Sequence, residues 1–227
     1  MFLKRSYKPE IMDDFSIQDE RIEKALKELI IINKFLGGSS GTKAGLKKVL
    51  KQISIKPGLK ILDIGSGTSD VLLSSFKNKN NVKIFSLDKN KRTCNYVKEN
   101  IGQLEIICGD AFQLPFKGKK FDILHTSLFL HHFKEEEIRI LLINFIRSAR
   151  YTLIINDLRR SVLALAGIKI LTSIFSKSEF VKNDGPLSVR RGFIKSELIE
   201  ILNSIPISSY EIKRKWAFRW LIIIYVS

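Results

Sequence analysis

The stretch LKILDIGSGTSDVLLSSF at 59–76 constrains this chain more than any other. A short apolar run ends in glycine, a polar turn follows, and apolar residues then recur at helical spacing, which reads as strand, loop and helix. The unit recurs. VKIFSLD (82–88) reads as a strand and KRTCNYVKEN (91–100) as a helix; LEIIC (104–108) and FDILHTS (121–127) are strands, EEEIRILLINFIRSA (135–149) a helix and YTLIIND (151–157) a strand. Strands apolar on both faces and separated by helices predict a parallel sheet covered on both sides.

Two helices are predicted ahead of this alternation. Residues 19–36 place Ile22, Leu26, Leu29, Ile30 and Ile32 on one face, with Gly37 and Gly38 as the stop. Residues 41–53 repeat the pattern with Leu46, Val49, Leu50 and Ile53, closed by Pro57 and Gly58. Beyond Asp157 come an apolar helix at 161–175, a polar stretch SKSEFVKNDGPLSVRRGF, a short helix at 195–203, and two final runs read as an antiparallel pair closing the sheet.

With 227 residues, 44% of them hydrophobic, one domain can bury a core without staples. Two cysteines, Cys94 and Cys108, are too few for a disulfide framework and fit a reducing, cytoplasmic setting. The charged start MFLKRSYKPEIMDDF lacks a signal-type apolar core, and no apolar run approaches the roughly 20 residues that span a bilayer. The formal charge of +16 favours anionic partners, nucleic acid or an anionic membrane, although the lysines are spread along the chain as on a solvated surface.

The loop LDIGSGTSD (62–70) carries Asp63, Gly65 and Gly67 where the backbone must turn sharply or approach a ligand. A dinucleotide fingerprint would need a small residue at 70, and Asp70 stands there, so a pyrophosphate is disfavoured. Acids on either side of the loop suit a zwitterionic or cationic ligand such as S-adenosylmethionine. Asp88, 21 residues beyond Gly67, can accept ribose hydroxyls, and GDAFQLPF (109–116) puts Asp110 and Ala111 near an adenine edge.

On these residues the chain resembles the class I S-adenosylmethionine-dependent methyltransferases from about residue 59 to its end. The family motif D-x-G-x-G-T-G stands here as D-I-G-S-G-T-S, departing at Ser69, which can cap a helix. SLFLHHF after the fourth strand resembles the ubiquinone/menaquinone-biosynthesis-like group, and PEIMDD, INKFLGG, INDLRRS, NDGPLSVRRGF and WAFRWL resemble a bacterial branch of it. The resemblance implies a Rossmann-like, seven-stranded, mostly parallel sheet with an antiparallel last strand and helices on both faces. It implies a helical cap over 1–56, the cofactor domain over 57–227 with an acceptor lid at about 160–195, and cofactor contacts that include Lys89, Ser127 and Asn33. The acceptor it implies is small and lipophilic, phenolic or quinoid, with O-methylation favoured over C-methylation.

A phenolic acceptor needs a proton acceptor near the ends of strands four and five. His131 and His132 are the candidates, His132 favoured, against a packing role for the pair; His125 is expected in the core. Asp157 is expected either as a base or as a helix cap, and Asn156 beside it evokes metal-dependent catechol methyltransferases. The partner aspartate of that metal site is missing, so no metal is expected. Arg159, Arg160, Arg190 and Arg191 are candidates for an acidic group on the acceptor or for solvated surface, and Leu163, Leu165, Ile168, Leu171 and Phe175 for a greasy pocket. Two rivals remain: an RNA methyltransferase, for which neither [DN]-P-P-[YF] nor a suitably placed cysteine is present, and a cofactor-binding scaffold without turnover.

Overall fold

The computed structural model describes residues 4–53, 58–76, 81–102, 104–116 and 118–226. Seven strands form one sheet in the order β3-β2-β1-β4-β5-β7-β6. They are β1 (Leu59–Ile64), β2 (Val82–Asp88), β3 (Glu105–Cys108), β4 (Phe121–Ser127), β5 (Ala149–Leu158), β6 (Ser209–Lys215) and β7 (Arg219–Tyr225). β7 alone runs antiparallel to its neighbours β5 and β6. The strand order reverses between β1 and β4, and in such sheets a crevice opens there outside the carboxyl ends of the strands.

Alternation along the strands divides the core. Ile61, Ile123, Ile154 and Leu221 face Leu46 and Val49 of α2 (Gly38–Gln52). Leu62, Leu124, Leu153 and Ile222 face α5 (Glu135–Ser148) and α8 (Lys195–Asn203). A third cluster joins Ile22 and Leu26 of α1 (Glu20–Phe35), Tyr96 and Val97 of α4 (Lys91–Asn100), and Phe180 and Val181 of α7 (Glu179–Arg191).

Three features depart from the sequence reading. α2 begins at Gly38, three residues before the expected start, because Gly37 takes φ +75 and turns the chain directly into it. α2 packs on the sheet itself, while α1 and residues 10–15 of the expected cap border the crevice; the boundary at 56/57 and the expected closure at Pro57 fall outside the described residues. The helix after the glycine loop, α3 (Asp70–Leu73), is a single turn.

The third departure is the polar stretch expected after α6 (Val162–Phe175), which is the helix α7 with Gly185 and Pro186 inside it. The polar composition gave no helical signal there, and packing supplies the reason for the helix. A Cβ on Gly185 would sit 3.2 Å from Ile168 Cγ1, so glycine is what lets α7 approach α6 closely. Asp184 is buried and accepts the backbone N–H groups of Ile11 and Met12 at 2.8 and 3.1 Å, tying down the N-terminal segment.

Candidate active site

The carboxyl rim of the sheet, α1, α6, α7 and the β6–β7 turn enclose a cavity of about 770 Å³. At one end is the glycine loop. Gly65 has φ +61, and a Cβ there would lie 2.0 Å from the Phe129 ring; Gly67 has φ +51 and nothing within 4 Å of its missing Cβ. Asp88 Oδ2 accepts Gly67 N–H and its Oδ1 accepts Asn90 N–H, both at 2.9 Å, so each oxygen keeps a lone pair for a ligand hydroxyl. Burial pushes the Asp88 carboxyl up. Ser127 Oγ and Arg219 Nη1 are buried at the wall without a hydrogen-bond partner.

The loop is braced from below. Asp63 accepts His125 Nδ1–H at 2.7 Å; since a carboxylate only accepts, His125 Nε2 accepts from Thr42 Oγ1 at 2.9 Å, and Thr42 in turn accepts from Asn156 Nδ2 at 3.2 Å. His125 is thus buried as expected, but it belongs to a polar chain linking α2 to the glycine loop. Asn156 also donates to Gly38 O at 2.7 Å. Strand alternation turns Asn156 and Asp157 to opposite faces, so they form no ligand pair.

At the other end, after β4, Asp157 is 1% exposed, outside the cavity wall, and accepts Leu130 N–H, Leu158 N–H and His131 Nδ1–H at 2.9, 2.7 and 2.7 Å. It is therefore neither the cap of α6, whose N-cap is Ser161, nor a group that meets an acceptor. Burial alone would depress the His131 imidazole, but Asp157, and Glu10 with its Oε1 3.6 Å from Nε2, push it up to about 9. His131 already carries its proton at neutral pH and cannot serve as the base expected of it. His132 differs in that it is part-exposed: Nδ1 donates to Asp13 Oδ1 at 2.6 Å, and Nε2, 4.0 Å from Glu10 Oε2, is the nitrogen left to face the cavity.

Arg191 holds this end together. Its Nη1 donates to Asp13 Oδ2 at 2.7 Å and to Lys8 O at 2.9 Å, its Nε to His131 O at 3.1 Å, and its Nη2 to His132 O. Glu10, His131 and His132 also turn donor atoms to within 4.8 Å of one another, a spacing that can hold a metal ion. Arg191 Nε lies 3.8 Å from the same Glu10 oxygen and His131 holds a proton there, so the charges are balanced as an ion-pair network.

Other expected residues fall on either side of the wall. Asn33, Asp63, Gly65, Gly67, Asp88, Lys89, Ser127, His131, His132 and Ile168 line the cavity. Asp110 and Ala111 do not: Asp110 pairs with Lys89 Nζ at 2.8 Å and Ala111 is in the core, while Phe15, Lys89, Asn90 and Thr93 wall that region. α6 turns Ala164, Ile168 and Leu171 inward, with Leu163 and Gly167 at the exposed edge of the cavity, and leaves out Leu165; α7 turns Val181, Asp184, Gly185 and Ser188 inward and leaves Arg190 exposed. The Arg159 guanidinium lies over Phe218, 5.1 Å from the ring centroid, off the cavity wall, and Arg160 is buried against Glu197. Composition hid Glu10, Asp13 and Arg219, which lie far along the chain from the groups they serve. Arg219 Nε donates to Leu36 O at 2.7 Å and Nη2 to Asn33 Oδ1 at 3.2 Å, and burial pulls its guanidinium down to about 10.

Residues 61–151 match the family model described as a methyltransferase domain. This stretch of the chain is similar to a methyltransferase domain. The chain is 30% identical over 92 residues to an uncharacterized methyltransferase of Synechocystis sp., covering 40% of this chain and 42% of that protein. It is 26% identical over 105 residues to the demethylmenaquinone methyltransferase of Thermotoga maritima, covering 46% and 45%. The match thus spans less than half the length of either curated relative. The methyltransferase fold extends further: the plantazolicin methyltransferase BpumL, solved with SAH and a triazolic desmethylPZN analog, superposes with a TM-score of 0.71 at 12% identity over 96% of this chain and 100% of that one. The glycine cradle with Asp88 and the unpartnered Ser127 and Arg219 atoms has the donors and acceptors to meet the ribose and zwitterionic ends of S-adenosylmethionine.

The His131 pair predicts how stability depends on pH. A group whose pKa is raised on folding from 6.5 to about 9 contributes fully below pH 6.5 and loses its contribution as pH climbs through 9. Unfolding free energy from urea melts should fall by about 3 kcal/mol over that window, Asp157 being the other half of the same pair and not a second contribution. His131→Gln should flatten this limb; an unchanged slope would mean that the pair does not set it.

Proposed function

We propose that the protein methylates a small lipophilic acceptor, phenolic or quinoid, on oxygen, with His132 as the proton acceptor. The observation that carries this reading is the continuity of one cavity from the Asp88 end to His132, past apolar walls from α1, α6 and α7. When bound, S-adenosylmethionine supplies a methyl group on a sulfonium. Asp88 would hold the ribose hydroxyls, and Arg219 and Ser127 the polar end. Leu163, Ile168 and Leu171 would orient the acceptor and exclude water, and His132 Nε2 would take the hydroxyl proton while Asp13 fixes the ring's tautomer. The name of the Thermotoga relative, demethylmenaquinone methyltransferase, supports a quinoid substrate class.

Incubation with methyl-labelled cofactor and a panel of alkylated phenols, quinols and cellular RNA is the direct test. Label in a phenolic ether supports the reading; label in RNA alone, or in no fraction, overturns it. Asp88→Ala should weaken cofactor binding by about 1–3 kcal/mol by calorimetry, the usual cost of stranding hydrogen-bonded groups. Unchanged affinity would displace the cofactor from this end of the cavity.

A further inference from the structure

α6 is apolar almost all the way round. Its sequence VLALAGIKILTSIF has one charged residue, Lys169, and no acid. Ala164, Leu171 and Thr172 turn inward, while Val162, Leu163, Ile170 and Ile174 share the opposite, outward arc and are between 61% and 71% exposed. A helix that carries apolar residues on both faces has a second apolar environment to meet, beyond the α7 surface on which it already rests. No described helix is long and apolar enough to cross a membrane.

This face lies at the cavity. Leu163 and Gly167 of α6, Leu36 after α1 and Trp216 in the β6–β7 turn all line it, and Phe35 and Trp216 beside it are 67% and 75% exposed. The three segments involved, IINKFL (31–36), α6 and KRKWAF (213–218), contain Lys34, Lys169, Lys213, Arg214 and Lys215 and no aspartate or glutamate. Apolar side chains long enough to enter a lipid interface therefore share these segments with Lys34, Lys169, Arg214 and Lys215, Lys213 being paired with Glu211 at 3.1 Å, in a chain of net charge +16.

We infer that α6, with the end of α1 and the β6–β7 turn, docks in the plane of an anionic lipid bilayer and opens the cavity toward it. The inference rests on the lipophilic-acceptor reading for its purpose: an acceptor dissolved in the bilayer would reach the cavity without crossing water. Lys169 can keep its ammonium at the headgroups while its stem lies among the apolar side chains.

Flotation with phosphatidylcholine vesicles, with and without phosphatidylglycerol, tests this in the absence of cofactor and acceptor. The protein should float with the phosphatidylglycerol vesicles, less so at high salt. The double variant Ile170→Glu, Ile174→Glu should lower the bound fraction at least about tenfold. Ile140→Glu, at an exposed position on α5, should leave it unchanged. Equal binding to both vesicle types, or no effect of the double variant, overturns the inference. So does the absence of flotation together with a dimer that the double variant dissociates, which would assign the face to a second copy. Because no methyl transfer is measured, vesicle binding and the proposed activity can fail independently.

Discussion

Replacing His132 by alanine is expected to lower turnover about 10²–10⁴-fold, the range a positioned general base contributes. His132 has the required geometry: the ring borders the cavity, and its Nδ1 is committed to Asp13 at 2.6 Å, which leaves Nε2 to accept a proton. Asp13→Asn should reproduce a large part of the loss, because an amide can present its own N–H to Nδ1 and turn the tautomer round. Cofactor binding by calorimetry should survive both changes, since the glycine loop and Asp88 lie at the other end of the cavity. Full activity in His132→Ala would remove His132 from the chemistry and leave positioning as the whole of catalysis.

The second large effect is on stability. Arg191→Met is expected to cost about 3–5 kcal/mol, as when one partner of a buried charge network is deleted. Its guanidinium is 4% exposed and donates to Asp13, to Lys8 O and to the carbonyls of His131 and His132. Methionine fills much of the volume but donates nothing, which takes a donor from the carbonyls of Lys8 and His132, leaves His131 O to Arg5 alone, and leaves Glu10 and Asp13 without their shared cation. For a chain of this size the melting temperature should fall by roughly 6–20 °C. Arg190→Met, one residue earlier on the exposed face of α7, should shift it little. Equal shifts in the two variants would show that the buried network holds nothing together.

The strands and the glycine loop were legible because their signals are local. VKIFSLD and FDILHTS have the bounds of β2 and β4, and KRTCNYVKEN has those of α4. Asp88 could be placed by counting, since a carboxylate closing the second strand stands beside the loop after the first. Misreadings came where tertiary contact outweighed composition. The polar stretch around Gly185 and Pro186 was assigned no element, and it is α7, because nothing in the sequence announces that Gly185 must lie against Ile168. The arginines read as candidate acceptor ligands went to four different places: Arg159 over Phe218, Arg160 to Glu197, Arg190 to the surface and Arg191 into the buried network.

The pattern of apolar runs, glycines and carboxylates by itself determined a parallel sheet, a cofactor loop too acidic for pyrophosphate, and a histidine pair at the rim of the fourth strand. What each histidine of the pair touches was decided only by tertiary structure. His131 and His132 are adjacent in sequence and chemically identical, and they differ because Asp157 and Glu10 close around the buried His131 while Asp13 holds Nδ1 of the part-exposed His132, whose Nε2 lies 4.0 Å from Glu10. Those partners come from the fifth strand and from the first turn of the chain. A proton's affinity for a ring depends on the charges within a few ångströms, and separation along the sequence carries no record of that distance.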